Sequence, residues 1–127
     1  MSKKFFMYGT LKEGGRFATQ VDAFRKKAVT AKIMGTMFSI GGSYPGVVLE
    51  GDTEIHGEIH EFEKEGMVEQ ILDRIEGHNF PGDPHNLYEK ATVEATLEDG
   101  SKEEVMLYVF ARGTKPYDKV ESGVWEI

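Results

Sequence analysis

The chain has 127 residues, with 15 Lys and Arg against 22 Asp and Glu, giving a formal net charge of −7. That length fits one domain over residues 1–127 with a core large enough to need no staples, and 39% hydrophobic with 29% charged residues excludes disordered, collagen-like and coiled-coil classes. The acidic excess repels phosphate backbones and argues against nucleic-acid partners, while the lack of any cysteine excludes disulfides, thiol nucleophiles and zinc–thiolate sites.

No apolar run approaches the roughly 20 residues of a membrane span. The basic-then-apolar start, Lys3-Lys4-Phe5-Phe6-Met7, stops at Tyr8, short of the apolar stretch of a signal peptide. A cytoplasmic protein without membrane contact is the expectation. Lys4 to Tyr8 reads as a central strand, apolar after Lys4. It runs into Gly9-Thr10-Leu11-Lys12-Glu13-Gly14-Gly15, which cannot be regular structure, and Phe17, Val21 and Phe24 then fall at the spacing of a short helical turn. Thr30 to Ile40 is β-rich with a bend expected at Gly35. Gly41 to Gly46 is a turn cluster, followed by strands over Val47–Leu49 and Ile55–Phe62. Met67, Val68, Ile71, Leu72 and Ile75 make one apolar stripe of a helix over Gly66–Glu76, and Gly77 supplies its stop.

After a loop with Pro81 and Pro84, residues 87–97 alternate, with Ala91, Val93, Ala95 and Leu97 on one face. Asp99-Gly100 signals a hairpin into Val105–Phe110, an apolar strand buried on both sides. The tail from Ala111 shows no pattern, although Trp125 is expected to pack. About six strands and one main α-helix make the chain α+β, with the strands curling into a small barrel.

Two segments could carry chemistry. The glycines after the first strand let successive N–H groups converge on an anion. Gly9 and Gly14 match the spacing of a phosphate loop, but Gly15 and Arg16 stand where its lysine and hydroxyl belong. A carboxylate fits better than a nucleotide, and an ordinary glycine-rich turn is the alternative. The second segment ends the helix. Glu76 sits beside Ile75 in the last turn, where negative charge opposes the helix dipole. If partly buried, its carboxyl would have a raised pKa and exchange protons near neutrality; a solvated glutamate is the alternative. His56 and His60 would lie about 13 Å apart along a strand, too far to share a metal, so solvated strand histidines are expected. No G-x-S-x-G elbow surrounds Ser39, Ser43, Ser101 or Ser122, which leaves proton transfer without a covalent intermediate.

These features, in order, resemble one family. Phe6-Met7-Tyr8-Gly9-Thr10-Leu11-Lys12, Tyr44-Pro45, Gly57-Glu58-Ile59, Leu72-Asp73-Arg74-Ile75-Glu76-Gly77 and Leu87-Tyr88-Glu89-Lys90 look like the gamma-glutamylcyclotransferase-like family, most of all its small gamma-glutamylamine cyclotransferase branch. The resemblance implies a mixed-strand barrel with a cavity between the first loop and the helix end. It implies that Tyr8, Gly9, Thr10 and Leu11 cradle a γ-glutamyl group, that Tyr88 lies nearby, and that Glu76 is the acid/base. It further implies a small-molecule γ-glutamyl substrate closing to 5-oxoproline, with no metal and no cofactor. The roles of Glu58 and Tyr88, functional or structural, stay open at this level, and a non-catalytic ligand-binding module of the same fold is the alternative function.

Overall fold

The structure is a computed structural model that describes residues 3–8, 21–42, 44–112 and 117–125. Burial with period two along the first strand sets the architecture. In β1 (Lys4–Met7), Phe5 and Met7 enter one core, while Phe6 and the following Tyr8 enter a second. A strand apolar on both faces must lie inside the fold, and β1 runs between β3, antiparallel to it, and β5, parallel to it. Its central position and the mixed pairing agree with the sequence pattern.

A 3-10 turn over Asp22–Phe24 leads into β2 (Arg25–Ile40), which pairs along its length with β3 (Tyr44–Phe62). The pairing jumps between Gly35↔Thr53 and Thr36↔Val48, so residues 49–52 bulge outward. Gly35 bears the bend as expected: a Cβ there would lie 2.5 Å from the Val48 carbonyl oxygen. The two strands read between Val47 and Phe62 are instead one strand, because the pairing resumes on the far side of the bulge. Tyr44 and Pro45 likewise open β3 rather than sit in the turn.

α1 (Glu65–Ile75) follows, then β4 (Tyr88–Leu97) and β5 (Lys102–Phe110), a hairpin turning at Gly100 with φ +86°. β6 (Asp118–Lys119), too short to leave a pattern, adds to the outer side of β2. Strand order is β3-β1-β5-β4-β2-β6 with β2 also paired to β3, which closes five strands into a barrel and leaves β6 outside. Phe6, Ile33, Met37, Ile55, Ile59, Ala95, Val105 and Leu107 come from all five strands and fill one core; only a barrel interior can gather them. Trp125 packs against this core. The second core, with Phe5, Phe38, Phe62, Tyr88, Tyr108 and Phe110, meets Val68 and Leu72 of α1 on the outside of the barrel. The helix is held there by its apolar stripe, except that Met67 stays 41% exposed.

The histidines depart from the solvated reading. His56 is half-buried, but His60 is fully buried, with Nε2 2.9 Å from Glu58 Oε1 and the Phe62 ring edge-on at 5.8 Å. Residues 58, 60 and 62 share one face of β3, and that face is covered instead of solvated. Glu58 therefore has at least a structural partner.

Candidate active site

The end of α1 is locked by its own backbone. His78 N–H donates to the Asp73 carbonyl at 2.8 Å, and Gly77 N–H donates to the Arg74 carbonyl at 3.4 Å. This paired closure needs a left-handed residue after the cap, and Gly77 has φ +62°. The Gly77 carbonyl then accepts the Leu87 N–H at 3.0 Å. These bonds fix the residue between helix and turn, Glu76, against the start of β4.

Glu76 is partly buried, and among the described residues no donor or cation reaches its carboxylate. Burial removes water from the charged form and pushes its pKa up to about 7. Three tyrosines stand close enough to feel its charge: Tyr8 after β1, Tyr88 at the start of β4 and Tyr108 on β5. Each phenol is pushed well above its ordinary value, first by burial. Neighbouring charge adds to this: Tyr88 and then Glu76 around Tyr8, Glu76 and Tyr44 around Tyr88, and Asp73 ahead of Glu76 around Tyr108. They stay neutral donors, and each has an acceptor: Tyr8 donates to the Tyr108 carbonyl, Tyr88 to the Pro45 carbonyl and Tyr108 to Asp73 Oδ1, all at 2.5 Å. Tyr88 is thus a core residue that also borders the site.

Glu65, Glu69, Asp73 and Glu76 follow at intervals of four, four and three, which places all four on one face of the helix. Three have partners. Glu65 accepts the Lys3 backbone N–H at 2.8 Å, Glu69 takes Lys3 Nζ and Lys90 Nζ at 2.6 Å each, and Asp73 takes Lys90 Nζ at 3.2 Å. Burial opposes ionisation of Glu69, but the two lysines outweigh it and hold its pKa below the ordinary value. The charged stripe and Lys90 escaped the sequence reading, although the spacing was available to find it.

Beyond Glu76, residues 78–89 form a braced loop. His78 is buried; its Nδ1–H donates to the Tyr88 carbonyl at 3.0 Å, and its ring lies edge-on to Tyr108. Asp83 accepts from His85 N–H and Asn79 Nδ2 at 3.0 Å each, and Asn86 Nδ2 donates to the Phe80 carbonyl and Glu89 Oε2. Of the residues singled out in the sequence, Glu76, Tyr8 and Tyr88 lie near one another. Gly9, Thr10 and Leu11 lie outside the described residues, as does the glycine cluster through Gly15. Among the described residues no group of three or more acidic or histidine side chains could hold a metal, and no helix is long and apolar enough to cross a membrane.

Gly57 shows what the central Gly-Glu pair does for this arrangement. A Cβ at position 57 would stand 2.3 Å from the Met7 carbonyl oxygen and 2.8 Å from the Phe6 ring. Glycine there lets β1 lie close on β3 just before Tyr8.

Comparison with known proteins follows the same outline. Residues 5–127 match the family model described as gamma-glutamyl cyclotransferase, AIG2-like. The chain is 30% identical over 107 residues to gamma-L-glutamyl-butirosin B gamma-glutamyl cyclotransferase from Niallia circulans, a match covering 84% of this chain and 66% of that protein. Its fold resembles YkqA from Bacillus subtilis with a TM-score of 0.73 and 25% identity, covering 98% of this chain but 40% of YkqA. It also resembles an AIG2-like protein from Mus musculus, with a TM-score of 0.67 and 20% identity over 92% of this chain and 86% of that one. With the matched residues running from β1 through the helix end to the tail, the chain belongs to the gamma-glutamyl cyclotransferase, AIG2-like family.

Proposed function

We propose that the protein is a metal-independent cyclotransferase that releases 5-oxoproline and a free amine from γ-glutamyl amines or short γ-glutamyl peptides, with Glu76 as the acid/base. The observation that carries this reading is a carboxyl at a fixed helix end, with no cation beside it among the described residues and a pKa pushed up by burial to about 7. Such a group is shared between its two protonation states near neutrality, so it can both take and return a proton.

The substrate's α-amine attacks its own γ-amide carbonyl. One C–N bond forms, the amide C–N bond breaks, and no water enters. Glu76 accepts the proton that the attacking nitrogen sheds and delivers it to the departing nitrogen. Because nucleophile and electrophile are tethered, holding the substrate curled supplies much of the acceleration. Tyr8 and the Gly9–Leu11 backbone are the proposed cradle for the γ-glutamyl part, and Tyr88 forms its wall. The family membership and the named activity of the Niallia circulans relative support the γ-glutamyl substrate. Leaving groups of the gamma-glutamylamine type are the finer proposal.

The test is a product assay on a panel of γ-glutamyl amines and dipeptides in water enriched with heavy oxygen. Unlabelled 5-oxoproline with free amine is expected, and Glu76→Gln abolishes it. Labelled glutamate in its place would identify hydrolysis and overturn the intramolecular step. Absence of product with retained binding of a γ-glutamyl compound would identify a binding module instead.

A further inference from the structure

We propose that Lys90 is a positioning residue of this site: by bridging Glu69 and Asp73 it holds Asp73 under the Tyr108 hydroxyl and, among the described residues, leaves Glu76 the one carboxylate of the helix face without a donor or cation. This rests on the proposed acid/base role of Glu76.

The geometry begins on β4. Lys90 Nζ lies 2.6 Å from Glu69 Oε2 and 3.2 Å from Asp73. Lys90 and both carboxylates are largely but not fully covered, with side-chain exposures of 23%, 19% and 23%. Desolvation works against the Lys90 charge, yet Glu69 and Asp73 outweigh it and raise its pKa, so the cation is present at every working pH. Asp73 Oδ1 accepts the Tyr108 hydroxyl at 2.5 Å, and the Tyr108 carbonyl accepts the Tyr8 hydroxyl at 2.5 Å. One lysine thus anchors a chain of contacts that ends on Tyr8, at the mouth of the proposed cradle.

The same lysine governs charge. Asp73 and Glu76 are three residues apart on the helix, where like charges repel. With Lys90 in place, Asp73 presents a neutral pair to its neighbour. Without it, Asp73 would stand beside Glu76 with its charge unpaired among the described residues, while Glu69 would keep Lys3. Among the described residues, the groups facing Glu76 or its partners are Tyr8 after β1, Tyr44 on β3, Tyr88 and Lys90 on β4, Tyr108 on β5, Asp73 and Glu69 on α1, and His78 in the following loop. The tyrosines are held neutral, so Asp73 and Glu69 are the charges Lys90 must offset.

The experiment is a carboxyl-carbon NMR titration of Glu76, its signal assigned by loss in Glu76→Gln. Wild-type protein is expected to titrate near 7. Lys90→Gln should move the midpoint up by roughly half a unit or more, since it removes a nearby opposite charge, and Lys90→Arg should restore it. Asp73→Asn should move it down, the opposite direction, which keeps the test decisive if Lys90→Gln fails to fold. A Glu76 midpoint unmoved by both Lys90→Gln and Asp73→Asn would overturn the proposal, as would an Arg variant that shifts as far as Gln. This readout needs no substrate: failure of the product assay with these shifts present would sink the cyclotransferase reading alone. Unmoved midpoints with robust 5-oxoproline release would sink only the role of Lys90.

Discussion

Glu76 and Asp83 are carboxylates seven residues apart, one ending a helix and the other inside the loop that follows. Asp83 is ringed by donors, the His85 amide and the Asn79 side-chain amide, and its pKa is held below the ordinary carboxylate value, first by the His85 backbone bond. Glu76 has no such donor among the described residues, and loss of water pushes it to about 7. The same functional group is a brace in one place and, in the proposed reaction, the proton carrier in the other, and the difference lies in what surrounds it. The contrast also reverses the dependence of stability on pH. Glu76 binds its proton more tightly folded than unfolded, so its contribution declines as pH rises from about 4.5 through 7. Asp83 binds its proton less tightly folded, so its contribution is present above its unfolded pKa and lost as pH falls through the folded one.

Removing the ionisable group at the helix end gives the largest effect. Glu76→Gln should lose at least about 100-fold in turnover, the low end for general acid–base catalysis. The same substitution should stabilise the fold under alkaline conditions by up to about 3 kcal/mol, because no charge is then buried. Denaturant melts at acid and alkaline pH check this: the gain must shrink toward acid, where Glu76 is already protonated. A Gln variant that is inactive and equally stable at both extremes would leave the raised pKa without support.

Displacing the carboxylate without removing it comes next. Gly77→Ala forces a left-handed conformation on a residue with a side chain, at a cost of about 1–2 kcal/mol, and crowds the Leu87 Cβ, 3.2 Å from the added carbon. Both the melt and the turnover should fall, the latter because the backbone closure that aims Glu76 is loosened. Tyr88→Phe should cost roughly 1–2 kcal/mol by orphaning the Pro45 carbonyl, with a smaller effect on turnover than at Glu76. Asp83→Asn sharpens the comparison most gently: acid sensitivity should decrease and the loop amides of His85 should exchange faster, while Glu76 titrates unchanged. A Glu76 midpoint that follows Asp83 would show the two regions to be coupled instead of separate.

Local pattern carried a good part of this arrangement. Phe5 to Tyr8, the helical stripe of Val68 and Leu72, Gly77 as the stop and Gly100 as the hairpin turn all act through neighbours within a few residues. Glu76 could be singled out because its conflict with the helix dipole is also local. The continuity of β3 could not be read, since its halves are joined only through pairing with β2 across the bulge. His60 was misread because the cover on its face comes from tertiary packing, not from its own alternation. Lys90 is the plainest case: its partners lie 17 and 21 residues away, and only the packing of β4 against the helix brings them together.

The most direct measurement is the rate of 5-oxoproline release by wild-type protein and Glu76→Gln as a function of pH. The wild-type rate should rise with the ionisation of a group near 7, and the Gln variant should be slow and lack that limb. A Gln variant that keeps the wild-type rate and the same limb would contradict it, and the proton would have to be carried elsewhere.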